Sequence, residues 1–281
     1  MKKINIVFAM LLAALALVSC GHKAKESKEA KPKMLVLYYS LTENTTQVAD
    51  EIVRLTGAAV ERIYAAEPYD TSFQATIDRC MKEREAGELP DILPVKADLS
   101  QYDVIFVGYP VWFGTYAPPV ITFLADHDLS GKTIVPFCTF GSGGLESSTE
   151  DLRKAQPDAT VLPGYGVRAA RLEAMPQEVE EFLKKGGFIE GEYTEPEAFG
   201  EVHDVSAEES AVFDQAVDGY PMLHAKAKSV AVRKVQGGTE YQFVAEDLPR
   251  EGDDRMPPAG ELQVYVTALE GAAPVFTRVV R

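Results

Sequence analysis

The chain has 281 residues, 46% of them apolar, with 28 basic against 43 acidic side chains and a formal charge of −15. Such acidity argues against nucleic acid as a partner and against flat docking on anionic lipid; it favours cationic partners or plain solubility. Three cysteines and four scattered histidines signal neither a disulfide framework nor a metal site.

At the start, Lys2-Lys3, an almost wholly apolar run over residues 4–18 and the ending Leu17-Val18-Ser19-Cys20 form a secretory signal pattern. The apolar run is shorter than a full membrane span requires. Its ending resembles a bacterial lipoprotein signal, which implies cleavage before Cys20 and a lipid on that cysteine. The expected location is therefore the bacterial cell envelope, lipid-anchored and facing the periplasm. Signal peptide over 1–19 and polar tether over 20–33 follow, the latter charged and without apolar periodicity. Losing Lys2 and Lys3 with the signal leaves 26 basic against 43 acidic groups. Cys80 and Cys138 then read as ordinary buried thiols, with pairing left open in an exported protein.

Strands and helices alternate from residue 34 to residue 189. A strand at 34–39 precedes a helix at 45–55 with Val48, Ile52 and Leu55 on one face. A short, half-polar strand at 58–63 and a polar helix at 71–87, inside an insertion, come next. Val104-Ile105-Phe106-Val107 is a continuous apolar run, the kind buried on both faces of a parallel sheet. A helix at 118–124, a strand at 133–137, a helix at 145–155, a fifth strand from Thr160 and a closing helix at 177–185 complete the series, ended by Gly186-Gly187. The alternation predicts an α/β fold: a doubly wound, five-stranded parallel sheet.

Residues 190–205 lack periodicity and read as a linker. Ser206-Ala207-Glu208-Glu209 is a capping box opening a helix whose Val212, Phe213, Ala216 and Val217 form an apolar stripe. From Ala225 the text alternates, turning at Gln236-Gly237-Gly238. Residues 206–281 are thus expected to form a small α+β domain, one helix on an antiparallel sheet.

Ligands of an open parallel sheet bind beyond the carboxyl ends of its strands, where the strand order reverses. Three segments lie there. In "YYSLTENTT" (38–46), Ser40, Thr42, Asn44, Thr45 and Thr46 surround a helix start, where free amides and the macrodipole attract an anion. Hydroxyls without cationic side chains suit a phosphate held wholly by hydrogen bonds; simple capping by Asn44 or Thr42 is the alternative. In "GYPVWFGTYAPP" (108–119), Trp112, the chain's only tryptophan, stands with Pro110, Val111, Phe113 and Gly114, placed either to pack in the core or to stack on a planar ring. In "TFGSGGLESST" (139–149), the glycines beside Thr139, Phe140 and Ser142 (Gly141, Gly143 and Gly144) let backbone approach a ligand closely.

These three segments together resemble the flavodoxin-like family over residues 34–189. The resemblance implies sheet order 2-1-3-4-5 and FMN as ligand. Ser40, Thr42, Asn44, Thr45 and Thr46 would hold its phosphate. Pro110, Val111, Trp112, Phe113 and Gly114 would cover one side of its ring, and Thr139, Phe140, Gly141, Ser142, Gly143 and Gly144 would line the other. It further implies electron transfer tuned by stacking and charge, with a backbone group near Gly114 flipping to meet the reduced ring; no catalytic acid, nucleophile or metal is required. Glu43 departs from the pattern, standing where these loops carry glycine. It predicts weaker flavin binding, with Asn44 taking positive φ in compensation and the Glu43 side chain turned to water.

More faintly, residues 206–281 resemble a cystatin-like fold, with Gln236, Gly237 and Gly238 at the hairpin tip. The usual tip residues are reduced and no second-loop Pro-Trp is present, so a structural or partner-binding role is expected over protease inhibition. Three functions remain in play. The leading one is a membrane-tethered FMN protein passing electrons to a redox protein or quinone. The others are a flavin-free scaffold presenting 206–281 to a protein partner and an NAD(P)H-dependent quinone or FMN reductase.

Overall fold

The computed structural model describes residues 31–218, 220, 223–235, 237–249 and 260–280. The signal segment, Cys20, most of the tether and Gln236 lie outside the described residues.

Apolar runs enter the interior almost at once. β1 (Met34–Tyr38) buries its last four side chains, and α1 (Asn44–Thr56) buries Thr45, Val48, Ala49 and Ile52 against it. Gly57, left-handed at φ 69°, ends α1 by donating its N–H to the Val53 carbonyl. β2 (Ala59–Arg62) is half-exposed. The insertion then supplies α2 (Phe73–Ala86), which buries only Thr76 and Cys80.

β3 (Val104–Trp112) is the sheet's centre, its first six residues buried. It runs past Val107 because Val111 and Trp112 pair antiparallel with Tyr116 and Thr115 of β4 (Thr115–Tyr116). α3 (Pro118–Asp126) starts on two prolines, tolerated where the first amides have no intrahelical partner. β5 (Thr133–Phe140) is followed by α4 (Leu145–Ala155), β6 (Thr160–Val161), β7 (Tyr165–Arg168) and α5 (Met175–Lys185).

The strand order is β2-β1-β3-β5-β6, with β7 also on β5, and β1, β2, β3, β5, β6 and β7 pair in parallel. The fifth position is therefore one strand broken in two. Pro163 lies at the break and has no N–H to donate to the ladder. β5 extends to Phe140 because β7 pairs with it as far as Arg168. The first turn-end reversal, β2 to one side of β1 and β3 to the other, puts the loops after β1, β3 and β5 at one edge.

The segment expected as irregular linker contains β8 (His203–Asp204). The predicted capping box is formed: the Ser206 hydroxyl accepts from the Glu209 N–H, and the Glu209 carboxylate accepts from the Ser206 N–H, opening α6 (Ala207–Val217). β9 (Ala225–Val235), β10 (Gly238–Asp247), β11 (Glu261–Leu269) and β12 (Val275–Val280) follow. They make an antiparallel sheet in the order β12-β11-β10-β9-β8. Its own core joins Phe213 of α6 to Val230, Phe243, Val264, Val266 and Phe276. From Pro32 to Arg281 the chain nevertheless clusters as one compact unit. Among the described residues no helix is long and apolar enough to cross a membrane.

Candidate functional site

The first loop is shaped by a residue in an uncommon conformation. Glu43 takes φ 62° at the N-cap of α1, and no side chain caps that helix. A left-handed backbone at a non-glycine residue costs roughly 1–2 kcal/mol, so something must hold it. The Glu43 carboxylate accepts from Arg62 Nη2 at 2.8 Å and Nη1 at 3.0 Å, and from the Thr46 hydroxyl at 2.6 Å. Arg62 Nη2 also donates to the Ser40 carbonyl at 2.6 Å. The expectations for this turn therefore need three corrections. Glu43 itself, rather than Asn44, takes the positive φ, and Asn44 is the first helical residue. Neither Asn44 nor Thr42 caps α1. A cation, Arg62 at the end of β2, stands beside the loop that was expected to have none. Glu43 is more than half exposed yet engaged, and the hydrogen bonds from Arg62 and then Thr46 hold its carboxyl below the usual carboxylate range.

The hydroxyls of this loop divide into different roles. Ser40 is buried, and its hydroxyl has no hydrogen-bond partner among the described residues. Thr42 is exposed and Asn44 half-buried. Thr45 is sealed, its hydroxyl 2.9 Å from that of Thr139 on β5. Thr46 serves Glu43. Thr45 and Thr139 thus tie the first loop to the third from inside, and they are turned to each other rather than outward.

The second segment is a hairpin rather than an open loop. Pro110, Val111 and Trp112 are the end of β3, and Phe113 (φ 52°) and Gly114 (φ 83°) are the turn. A two-residue turn with both φ positive matches the twist of the strands it joins. Glu43 and Phe113 are the two non-glycine residues of positive φ among the described residues, and both fall in candidate ligand segments, where such strain concentrates. Trp112 is half-buried. Tyr39 and Tyr69 meet it edge-on, with ring centroids 5.9 and 5.2 Å away. Tyr69 comes from the insertion, where its hydroxyl donates to Glu83 at 2.6 Å and Arg79 lies over its ring at 3.9 Å. Burial raises the pKa of Tyr39 and of Tyr69 alike, so both stay neutral phenols. Phe113 is exposed, with Arg84 of α2 over its ring at 5.4 Å. The Gly114 carbonyl accepts from the Ser147 hydroxyl at 2.6 Å, a bond that any flip of that peptide must break.

In the third segment Thr139 and Phe140 are buried strand residues, and Gly141, Ser142, Gly143 and Gly144 form the turn into α4. A side chain on Gly144 would press on Val111 at 2.6 Å, whereas one on Gly143 would overlap the Val279 carbonyl oxygen. The room at Gly143 is thus taken by β12, where the sequence reading assigned it to a ligand. The Val279 N–H donates to the Ser142 carbonyl at 2.7 Å. Arg168, 9% exposed, donates from Nε to the Gly141 carbonyl at 2.8 Å and from Nη1 to the Phe276 carbonyl at 2.7 Å. Its guanidinium lies over Phe276 at 4.2 Å and Tyr220 at 4.8 Å.

Sequence reasoning missed Arg62, Tyr39, Tyr69, Ser147 and Arg168. The one local signal was a cation closing an otherwise apolar strand, as Arg168 does in "YGVR". Cys80 and Cys138 are buried free thiols, as expected. Burial pushes Cys80 up to about 11, so it stays protonated and unreactive. No cluster of metal-binding side chains occurs among the described residues.

Three comparisons bear on this site. A family model described as flavodoxin matches residues 33–182, more than half of the chain. No curated protein matches. Among solved structures, one described as a flavoprotein from Bacteroides eggerthii is 28% identical, covering 55% of this chain and 97% of its own, with a TM-score of 0.48. A flavoprotein in complex with FMN from Lactobacillus acidophilus is 23% identical, over 49% of this chain and 93% of its own, with a TM-score of 0.43. Oxidised flavodoxin 2 from Bacillus cereus is 20% identical, over 54% and 99%, with a TM-score of 0.36.

Proposed function

The chain belongs to the flavodoxin family, and from that premise we propose that it binds FMN and passes electrons between partners at the cell envelope. The Ser40 hydroxyl carries this reading. A buried hydroxyl without a partner is uncommon and costs about 1–3 kcal/mol when left unsatisfied. This one lies where β1 turns into an uncapped helix N-terminus, the place where backbone amides collect an anion. A phosphate monoester supplies the missing acceptor.

Ser40, Thr42 and the first amides of α1 would hold the phosphate, and Trp112 would offer its indole to the ring system. Bound FMN supplies the redox chemistry. The chain's own contribution is placement and electrostatics. Tyr39 and Tyr69 fix the indole edge-on. Ser147 holds the turn at Gly114. The acidic surface opposes added negative charge in the site and steers cationic surfaces towards it. A lipid on Cys20 would keep this machinery at the membrane, with a redox protein or a quinone as the exchanging partner.

The test is a pair of measurements on Ser40→Ala. The affinity for FMN falls about tenfold or more, the size expected for one hydrogen bond to a charged group. Stability of the ligand-free chain holds or rises, because the orphan hydroxyl stabilises nothing without its ligand. Unchanged affinity in Ser40→Ala, or a wild-type chain that binds no FMN, would sink the reading.

A lesser part is proposed for residues 206–281. Gly237, between β9 and β10, and Glu270, after β11, are joined by a 2.8 Å bond from the Glu270 N–H to the Gly237 carbonyl. These adjoining turns form a shallow surface hollow of about 430 Å³ with Leu269 on its rim. This end of the antiparallel sheet is suited to a protein partner, and inhibition of papain-type proteases by the full chain would make it an inhibitor instead.

A further inference from the structure

We infer that the C-terminal antiparallel sheet is a structural part of the cofactor site, with Arg168 as the positioning residue that couples the two. The inference rests on the FMN reading above and assigns how the third loop of that site is held.

Four contacts converge on residues 141–146. Arg168 bridges the Gly141 carbonyl and the Phe276 carbonyl with two separate nitrogens. Val279 donates its N–H to the Ser142 carbonyl at 2.7 Å. Gly143 has no room for a side chain because the Val279 carbonyl occupies it. Arg278 pairs with Glu146 of α4 at 3.2 Å. A glycine-rich turn has many conformations open to it and loses more entropy on ordering than other turns. Here the ordering is supplied by β12 and by Arg168. Arg168 is itself locked: it is buried, its guanidinium lies over the adjoining rings of Tyr220 and Phe276, and desolvation lowers its pKa. A cation accepts this burial only where its donors are satisfied, and two of them are spent on the bridge.

A turn held at successive carbonyls presents its backbone to the ring in one shape. Docking of β12 and occupation of the site therefore favour each other, and by linkage the coupling is reciprocal. Anything that binds residues 206–281 and strains β12 alters the flavin site through this turn.

The experiment uses the full chain. In wild type, adding FMN slows hydrogen exchange at the Val279 amide, while amides at the centre of β10 keep their rates. Arg168→Met and Arg168→Lys each weaken FMN binding about tenfold, within the usual range of coupling between sites, and each speeds exchange at Val279. Lysine keeps the charge but cannot bridge two carbonyls in the guanidinium's fork geometry. Wild-type affinity in Arg168→Lys overturns the bridge. Exchange at Val279 that is indifferent to FMN overturns the coupling, and that measurement needs no variant to fold. A wild-type chain without FMN affinity overturns the functional reading itself and this inference with it, a failure visible before any variant is made.

Discussion

The first and third loops lie at the same edge of the sheet, and they are held by opposite means. The first is held from nearby. An uncommon backbone at Glu43 is matched by an ion pair with Arg62, one strand away and open to water. The third is held from far along the chain, by Arg168 and by a strand whose Phe276 lies 108 residues beyond Arg168 in sequence. Exposed ion pairs contribute little and are screened by salt, whereas buried hydrogen bonds and close packing are not. The end of the site proposed for the phosphate is therefore adjustable, and the end proposed for the ring rigid.

The largest effect is expected at the rigid end. Gly143→Ala puts a methyl group where the Val279 carbonyl now lies, and backbone cannot swing aside as a side-chain tip can. Overpacking of this kind costs roughly 1–3 kcal/mol, and we expect the upper half of that range. Urea unfolding of the ligand-free chain reads it directly. Exchange at Val279 should quicken while the amides of β1 and β3 keep their protection. Wild-type stability in this variant would mean that β12 does not press on the turn.

At the adjustable end the effect falls on affinity more than on stability. Glu43→Gly relieves about 1 kcal/mol of left-handed strain but gives up an exposed ion pair of roughly 0.5 kcal/mol and frees the unfolded chain by a similar amount. Stability then stays within about 1 kcal/mol of wild type. FMN binding tightens about five- to tenfold, because the Thr46 hydroxyl and Arg62 are released and one negative charge leaves the vicinity of a dianion. Calorimetric titration of both chains decides it; weaker binding in Glu43→Gly would show that the ion pair shapes the loop for its ligand rather than competing with it.

The same contrast explains what the sequence could show. The strands and helices of the parallel sheet were readable because each is local, and their order came with the family resemblance. An apolar run such as Val104-Ile105-Phe106-Val107 declares its role within a few residues, whereas the hydroxyls around the start of α1 divide into roles that only the fold assigns. The capping box at Ser206 is local too. The partner of Gly143 was not readable. Glycine there permits close approach by a ligand or by protein, and the pattern "GSGG" has no mark that tells them apart. Arg62 was hidden for a related reason: a lone arginine ending a half-polar strand looks like a solvated edge until the fold brings Glu43 beside it.

The smallest effect is a dependence on pH that isolates the ion pair from the strain beneath it. Glu43→Gln keeps a similar side chain on the same left-handed backbone, so the strain is common to both chains, and every other carboxylate titrates alike in both. Arg62 and Thr46 depress the Glu43 pKa in the folded state. A depressed pKa contributes stability that is present above the unfolded value, about 4.3 for glutamate, and is lost as pH falls through the folded value. The difference in stability between wild type and Glu43→Gln should therefore be level from pH 7 to about pH 5 and shrink below pH 4. Because the side chain is 56% exposed, the level part should be no more than about 0.5 kcal/mol, and high salt should reduce it further. Paired urea titrations across that range measure it. A difference that persists unchanged into acid would assign the Glu43 contribution to its shape instead of its charge, and the first loop would then be held, like the third, by packing.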